Sequence, residues 1–93
     1  MTVERFESDD HGYEGWLIRN RATGYVLNTT KSPSAGYLWL HFANCNRINK
    51  LGGGPWTTTG YIKVCATNVA ALEEWAQVEV GSSELHRCEF CWA

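Results

Sequence analysis

The sequence predicts an α+β fold in which a short antiparallel sheet carries two helices. Three observations predict it. The chain has 93 residues, enough for one small domain. Short runs rich in aromatic and β-branched residues recur between turn signals, as strands require. Two further stretches set apolar residues at i, i+3 and i+4 behind a residue able to cap a helix.

Taken in order, Ser8-Asp9-Asp10 can cap and charge the start of a first helix. Tyr13, Trp16 and Leu17 then form its apolar stripe, against the weakening effect of Gly12 and Gly15. Ala22-Thr23-Gly24 reads as a turn and Tyr25 to Thr29 as a strand. A loop from Lys31 to Gly36 leads into the clearest strand, Tyr37 to Phe42. Alternation there puts Tyr37, Trp39 and His41 on one face and Leu38, Leu40 and Phe42 on the other. Asn49 to Gly60 is a glycine- and threonine-rich loop, and Tyr61 to Cys65 is a third strand. Thr67 or Asn68 caps a second helix over Val69 to Ala76, with Leu72, Trp75 and Ala76 inward and Glu73 and Glu74 outward. Residues 77–85 read as a connector, with a brief strand at Val78-Glu79-Val80.

A domain of this size buries only about two-thirds of its extended-chain surface, so its core leaves little margin. A second source of stability is expected, and four residues supply a candidate. His41 and Cys45 form H-x3-C; Cys88 and Cys91 form C-x2-C. Two short-spaced donor pairs, far apart in the chain, are what one tetrahedral Zn2+ requires. Four protein donors leave no open position, so such an ion is structural. Cys65 and His86 are rival ligands, and His41 also has a plain reading as a core histidine. A thioredoxin-type role for the C-x2-C pair would need it to open a helix, whereas Trp92 and Ala93 alone follow it.

The N-terminal MTVERFESDDHG is acidic and lacks a signal-peptide run, and no stretch has the roughly 18 apolar residues of a membrane span. A cytoplasmic location is the expectation, and there cysteines favour metal over disulfides. The net charge of −2 hides a segregation. Residues 15–72 contain no Asp or Glu and hold Arg19, Arg21, Lys31, Arg47, Lys50 and Lys63, while residues 1–14 and 73–93 each carry −4. Chance segregation over solvated faces explains this, as does an acid-free face that attracts an anion.

These pieces together resemble the N-terminal metal-binding domain of Ada-type DNA repair proteins. The similarity runs through His41-Phe42-Ala43-Asn44-Cys45, Ile62 to Cys65, Thr67 to Leu72, and Arg87 to Cys91. Residues 1–39 form a helix–strand extension to it. The resemblance implies a zinc-clamped α+β module that touches DNA phosphates. It does not imply methyl transfer, because His41 stands where repair members carry the methyl-accepting Cys. Gly24 to Thr29 with Tyr37 to Cys45 is also similar to modules attached to bacterial restriction-type nucleases, which points to the same polymer and to a nuclease or other protein partner.

The expected function is therefore a non-catalytic nucleic-acid-binding module, with DNA the expected target. Arg19, Arg21, Lys31, Arg47, Lys50 and Lys63 would meet phosphate, helped by Thr57, Thr58, Thr59 and Asn46. Trp56 would either stack on a base or anchor its own loop. The alternative is a zinc-stabilised protein-interaction module, favoured by the acidic ends and five Trp. An enzyme would need Cys45 or Cys65 as a zinc-activated nucleophile, and no other nucleophile has a spaced base. The position of the cations distinguishes the first two readings.

Overall fold

The computed structural model describes residues 2–49 and 53–92. Strand β1 (Glu4–Phe6) leads into helix α1 (Asp10–Asn20); β2 (Tyr25–Thr30) and β3 (Leu38–Phe42) follow, then β4 (Tyr61–Ala66), α2 (Val69–Val80) and β5 (His86–Arg87). The five strands form one sheet in the order β1-β4-β2-β3-β5. All neighbours are antiparallel except β3 and β5, where Trp39 lies beside His86 and Leu40 beside Arg87.

Only β2 and β3 are joined as a hairpin. The other connections cross over a neighbouring strand, and each crossover covers one face. The β1–α1–β2 connection puts Tyr13, Trp16 and Leu17 over Phe6, Val26 and Cys65. The β4–α2–β5 connection puts Ala71, Leu72 and Ala76 over Leu27, Leu38, Leu40, Ile62 and Val64. The result is a helix on each face of one sheet. Period-two alternation along β2, β3 and β4 feeds both cores from the same strands. Full burial of Leu72 alone contributes about 2 kcal/mol.

The helix ends follow from local chemistry. Asp9 accepts from the Gly12 N–H at 2.9 Å and caps α1. Asn68 accepts from the Ala71 N–H at 2.8 Å and caps α2. At the far end α2 continues through residues 78–80, where the sequence suggested a strand. The stop comes at Gly81, whose φ of 75° takes the left-handed conformation and lets its N–H reach the Gln77 carbonyl. Continued helical hydrogen bonding outweighs the β preference of two valines separated by one residue. Trp75 is half-buried at the edge of the α2 core rather than central in it.

Two short strands were not expected, β1 within the acidic N-terminal segment and β5 within the C-terminal knuckle. Neither has enough residues to show a period. Both exist because an adjacent strand offers unpaired backbone groups. β2, from residues 25–30, lies at the centre of the sheet. No helix among the described residues is long and apolar enough to cross a membrane.

One close approach fixes the α1–β2 turn. A Cβ on Gly24 would lie 2.5 Å from the Trp16 ring and 2.8 Å from the Asn20 carbonyl oxygen, so only glycine fits.

Candidate metal centre and adjoining cavity

β3 ends at Phe42, and the chain turns tightly through Ala43 and Asn44. The Cys45 N–H donates to the Phe42 carbonyl at 3.0 Å, and Ile48 and Asn49 donate back to the Cys45 carbonyl at 3.0 and 2.9 Å. The Asn49 amide donates to the Ala43 carbonyl at 2.6 Å. This turn is nailed to α1 by the Tyr13 hydroxyl, which donates to the Ile48 carbonyl at 2.7 Å. His41 and Cys45 are thus held by backbone bonds, independently of any ion.

The second pair arrives on β5. Its parallel pairing continues as a bond from the Cys88 N–H to the Leu40 carbonyl at 2.9 Å, which sets Cys88 beside the His41 end of β3. A final turn, closed by the Trp92 N–H on the Cys88 carbonyl at 3.0 Å, brings Cys91 round. Trp92 stacks on Phe42 with ring centroids 4.2 Å apart, and the Arg87 guanidinium lies 4.8 Å over the Trp92 ring.

The outcome is a cluster. One ligand atom from each of His41, Cys45, Cys88 and Cys91 lies within 4.8 Å of the others. The first three residues are buried and Cys91 is half-buried. Such a set is compatible with a metal ion. A tetrahedral ion with bonds of about 2.3 Å to sulfur needs ligand atoms roughly 3.8 Å apart, so small side-chain rotations suffice. His41 Nδ1 is buried without a hydrogen-bond partner among the described residues, which is costly for a core histidine and natural for a ligand residue.

The electrostatics of the four donors differ. Burial, with Lys63 and Arg47 nearby, lowers the His41 pKa to about 4, so its imidazole is neutral at pH 7 and keeps a lone pair. Burial opposes ionisation of Cys88, but the N–H groups of Cys91 and Phe90 and the thiols of Cys91 and Cys45 outweigh it and hold the thiol below its usual range. Burial raises Cys91 to about 12, and the neighbouring Cys45 and Cys88 add to that against a backbone bond from Phe42. A thiolate is therefore more accessible at Cys88 than at Cys91, where a cation is needed to ionise the thiol.

The rivals lie elsewhere. Cys65 is fully buried in β4, outside the cluster, and burial followed by the Glu4 carboxylate pushes its thiol well above the usual range. His86 is exposed on β5 with its ring 5.5 Å from that of Trp39.

Among the described residues the cations are not all presented at the surface. Arg19, Arg21, Lys31 and Arg47 are exposed. Lys31 lies 3.7 Å from Glu7, and Arg47 sits 5.0 Å over the Phe90 ring. Lys50 lies outside the described residues. Lys63 is interior: its ammonium donates to Asn28 Oδ1 at 2.9 Å and to the Trp56 carbonyl at 2.8 Å. It is committed to the fold and not presented to a phosphate. Period-two alternation put it on the α1 face, where helix and loop enclose it.

Trp56 is likewise a loop anchor. Its indole N–H donates to Glu14 at 3.2 Å and its ring meets Tyr13 edge-on. Thr57 is buried, and both its N–H and its hydroxyl donate to Asp10 Oδ1 at 2.7 Å. Asp10 thereby ties the first turn of α1 to the loop before β4. Thr58, Thr59 and Asn46 are exposed.

Lys63 yields a test of this arrangement. Burial lowers its pKa from 10.5 to about 8, against the opposing pull of Cys65 and Asp10. Between those values the unfolded chain binds more protons than the folded chain, so this lysine makes stability rise with pH. Wild type should gain on Lys63→Met by up to about 3 kcal/mol from pH 8 to 10.5, read from urea melts. A difference that stays flat with pH would mean that the ammonium is solvated.

Beside the cluster the same sheet face opens into a cavity of about 410 Å³, lined by Asn28, Tyr37, Trp39, His41, Arg47, Ile48, Cys88, Glu89 and Phe90. Asn28, Glu89 and Phe90 were not singled out from the sequence. Alternation along β3 did place Tyr37, Trp39 and His41 together, but nothing local shows that α1 stops short of covering them. Comparison of the chain with protein-family models, with curated proteins and with solved structures found no match to any of them.

Proposed function

We propose that this chain is a non-catalytic nucleic-acid-binding module, with DNA the expected polymer, clamped by one structural Zn2+ on His41, Cys45, Cys88 and Cys91. The observation that carries the metal is the convergence of two donor pairs, with 42 residues between Cys45 and Cys88, onto one point within 4.8 Å. Three thiolates and an imidazole suit zinc among the common divalent ions. Bound there, the ion supplies stability and no reactive position.

What supports nucleic acid is the company the cluster keeps. Arg47 is exposed next to it, Arg19 and Arg21 end α1 on the same side of the sheet, and an aromatic-walled opening lies between strand and knuckle. The resemblance to the Ada-type domain points the same way. With Lys63 enclosed, fewer cations are free to meet phosphate than the sequence offered. A protein partner would use exposed apolar residues instead. Among the described residues the exposed large apolar side chains, Ile18, Tyr61, Val78 and Phe90, come from α1, β4, α2 and the C-terminal turn, not from one element.

The test is a salt titration of duplex DNA binding by the zinc-loaded protein. Neutralisation of three to four phosphates should give a slope of log affinity on log salt near −3 to −4. No measurable binding at 50 mM salt would remove the proposal.

A further inference from the structure

We infer that the cavity beside the ligand cluster receives a single unstacked nucleobase, one that carries an exocyclic amino group. This rests on the nucleic-acid reading above and specifies which part of the polymer the site takes. A metal ion accounts for only the corner formed by His41 and Cys88. The rest of the 410 Å³ lies over Asn28, Tyr37, Trp39 and Phe90 and is the size of a small-molecule site.

The walls are flat rings held in place. Tyr37 is braced by Tyr61 at 5.4 Å between centroids, and Trp39 by His86 at 5.5 Å. Phe90 is 58% exposed and carries the Arg47 guanidinium on its ring. An exposed phenylalanine against a cation, in one cavity with half-buried Tyr and Trp, is a stacking platform with charge at its rim. The phosphates flanking a bound base would meet Arg47.

The polar groups define the occupant further. The Lys63 ammonium has only hydrogens to offer, so Asn28 must turn its oxygen toward it, as the 2.9 Å bond records. That leaves the Asn28 Nδ2 hydrogens without a partner among the described residues, on a side chain that lines the cavity. Glu89, which also lines the cavity, supplies an acceptor. A carboxylate repels phosphate but accepts from an amino group, as it does with cytosine N4. A ring with an acceptor for Asn28 and an amino group for Glu89 fits; thymine, which has no amino group, does not. Among the residues that line the cavity, Glu89 is the one acid.

The experiment measures fluorescence polarisation of zinc-loaded protein with four 12-mers at one salt concentration: oligo-dC, oligo-dT, an abasic strand and a mixed-sequence duplex. Oligo-dC should bind about 10-fold or more tightly than oligo-dT and the abasic strand. Trp39→Ala should erase that advantage, Trp39→Phe should keep most of it, and Glu89→Met, which leaves no oxygen to accept from an amino group, should bring oligo-dC down to oligo-dT. Melting temperature and zinc content of each variant show that the fold persists, and Glu89 is exposed, so its variant is expected to fold normally. Equal binding of oligo-dC and the abasic strand overturns the cavity assignment. So does unchanged discrimination in Glu89→Met and Trp39→Ala. In either case duplex binding with the expected salt slope leaves the module reading standing. Absence of binding to all four strands overturns both.

Discussion

Cys88→Ser should leave the chain without zinc and without a cooperative melt. A serine hydroxyl is a poor zinc donor, and the three remaining ligands would have to hold the ion in a site built for four. Structural zinc contributes about 10–16 kcal/mol of apparent binding energy in small domains, more than the roughly 5–15 kcal/mol by which a domain is stable at all. Cys88 also lies where two segments meet; its backbone N–H still reaches the Leu40 carbonyl in the variant, but without the ion that bond alone must hold β5 and the final turn to β3. Native mass spectrometry and circular dichroism check this. Cys65→Ser provides the contrast. It buries a hydroxyl at a fully enclosed position and costs about 1–3 kcal/mol, yet it should keep one zinc per chain, because Cys65 stands outside the cluster. If Cys88→Ser melts like wild type with its metal retained, or if Cys65→Ser loses the metal, the ligand assignment is wrong.

Reversing Arg21 and Arg47 to Glu in one chain should lower DNA affinity on the order of 100-fold at physiological salt, and the salt slope should fall by about two. Both side chains are exposed, and Arg47 has only its contact over Phe90 to lose, about 0.5–1 kcal/mol. The melting temperature should therefore drop by less than about 8 °C. The same reversal at Lys31, which already lies near Glu7, should do less. Binding that survives the double reversal intact would mean that the polymer does not approach this side of the sheet.

Much of the architecture was legible in the residues themselves. The i, i+3, i+4 stripe of Tyr13, Trp16 and Leu17 survives two glycines because Asp9 caps the helix and the sheet buries the stripe. The pairing of His41-x3-Cys45 with Cys88-x2-Cys91 could be read because ligand spacing is set by turn geometry, which is local. What could not be read depends on distant partners. Lys63 looks like a surface cation until Asn28 and the Trp56 carbonyl close around it. Thr57 looks like a loop donor until the Asp10 carboxylate, 47 residues away in the chain, takes both its hydrogens. The cavity is of the same kind: its rings come from β3 and the C-terminal turn, and its existence depends on where α1 ends.

The sandwich of one sheet between two helices separates two kinds of change. The candidate ligands Cys45 and Cys88 belong to the core on the side of α1, while α2 seals a separate core built largely of leucine, isoleucine and valine that contains none of the four ligands. Substitutions in that second layer alter how long the molecule lasts; on the first side, those at Tyr37, Trp39 or Phe90 around the opening alter what it can hold. Apart from the four ligands, which serve both ends, a lineage carrying this fold is free to adjust durability and recognition along separate routes.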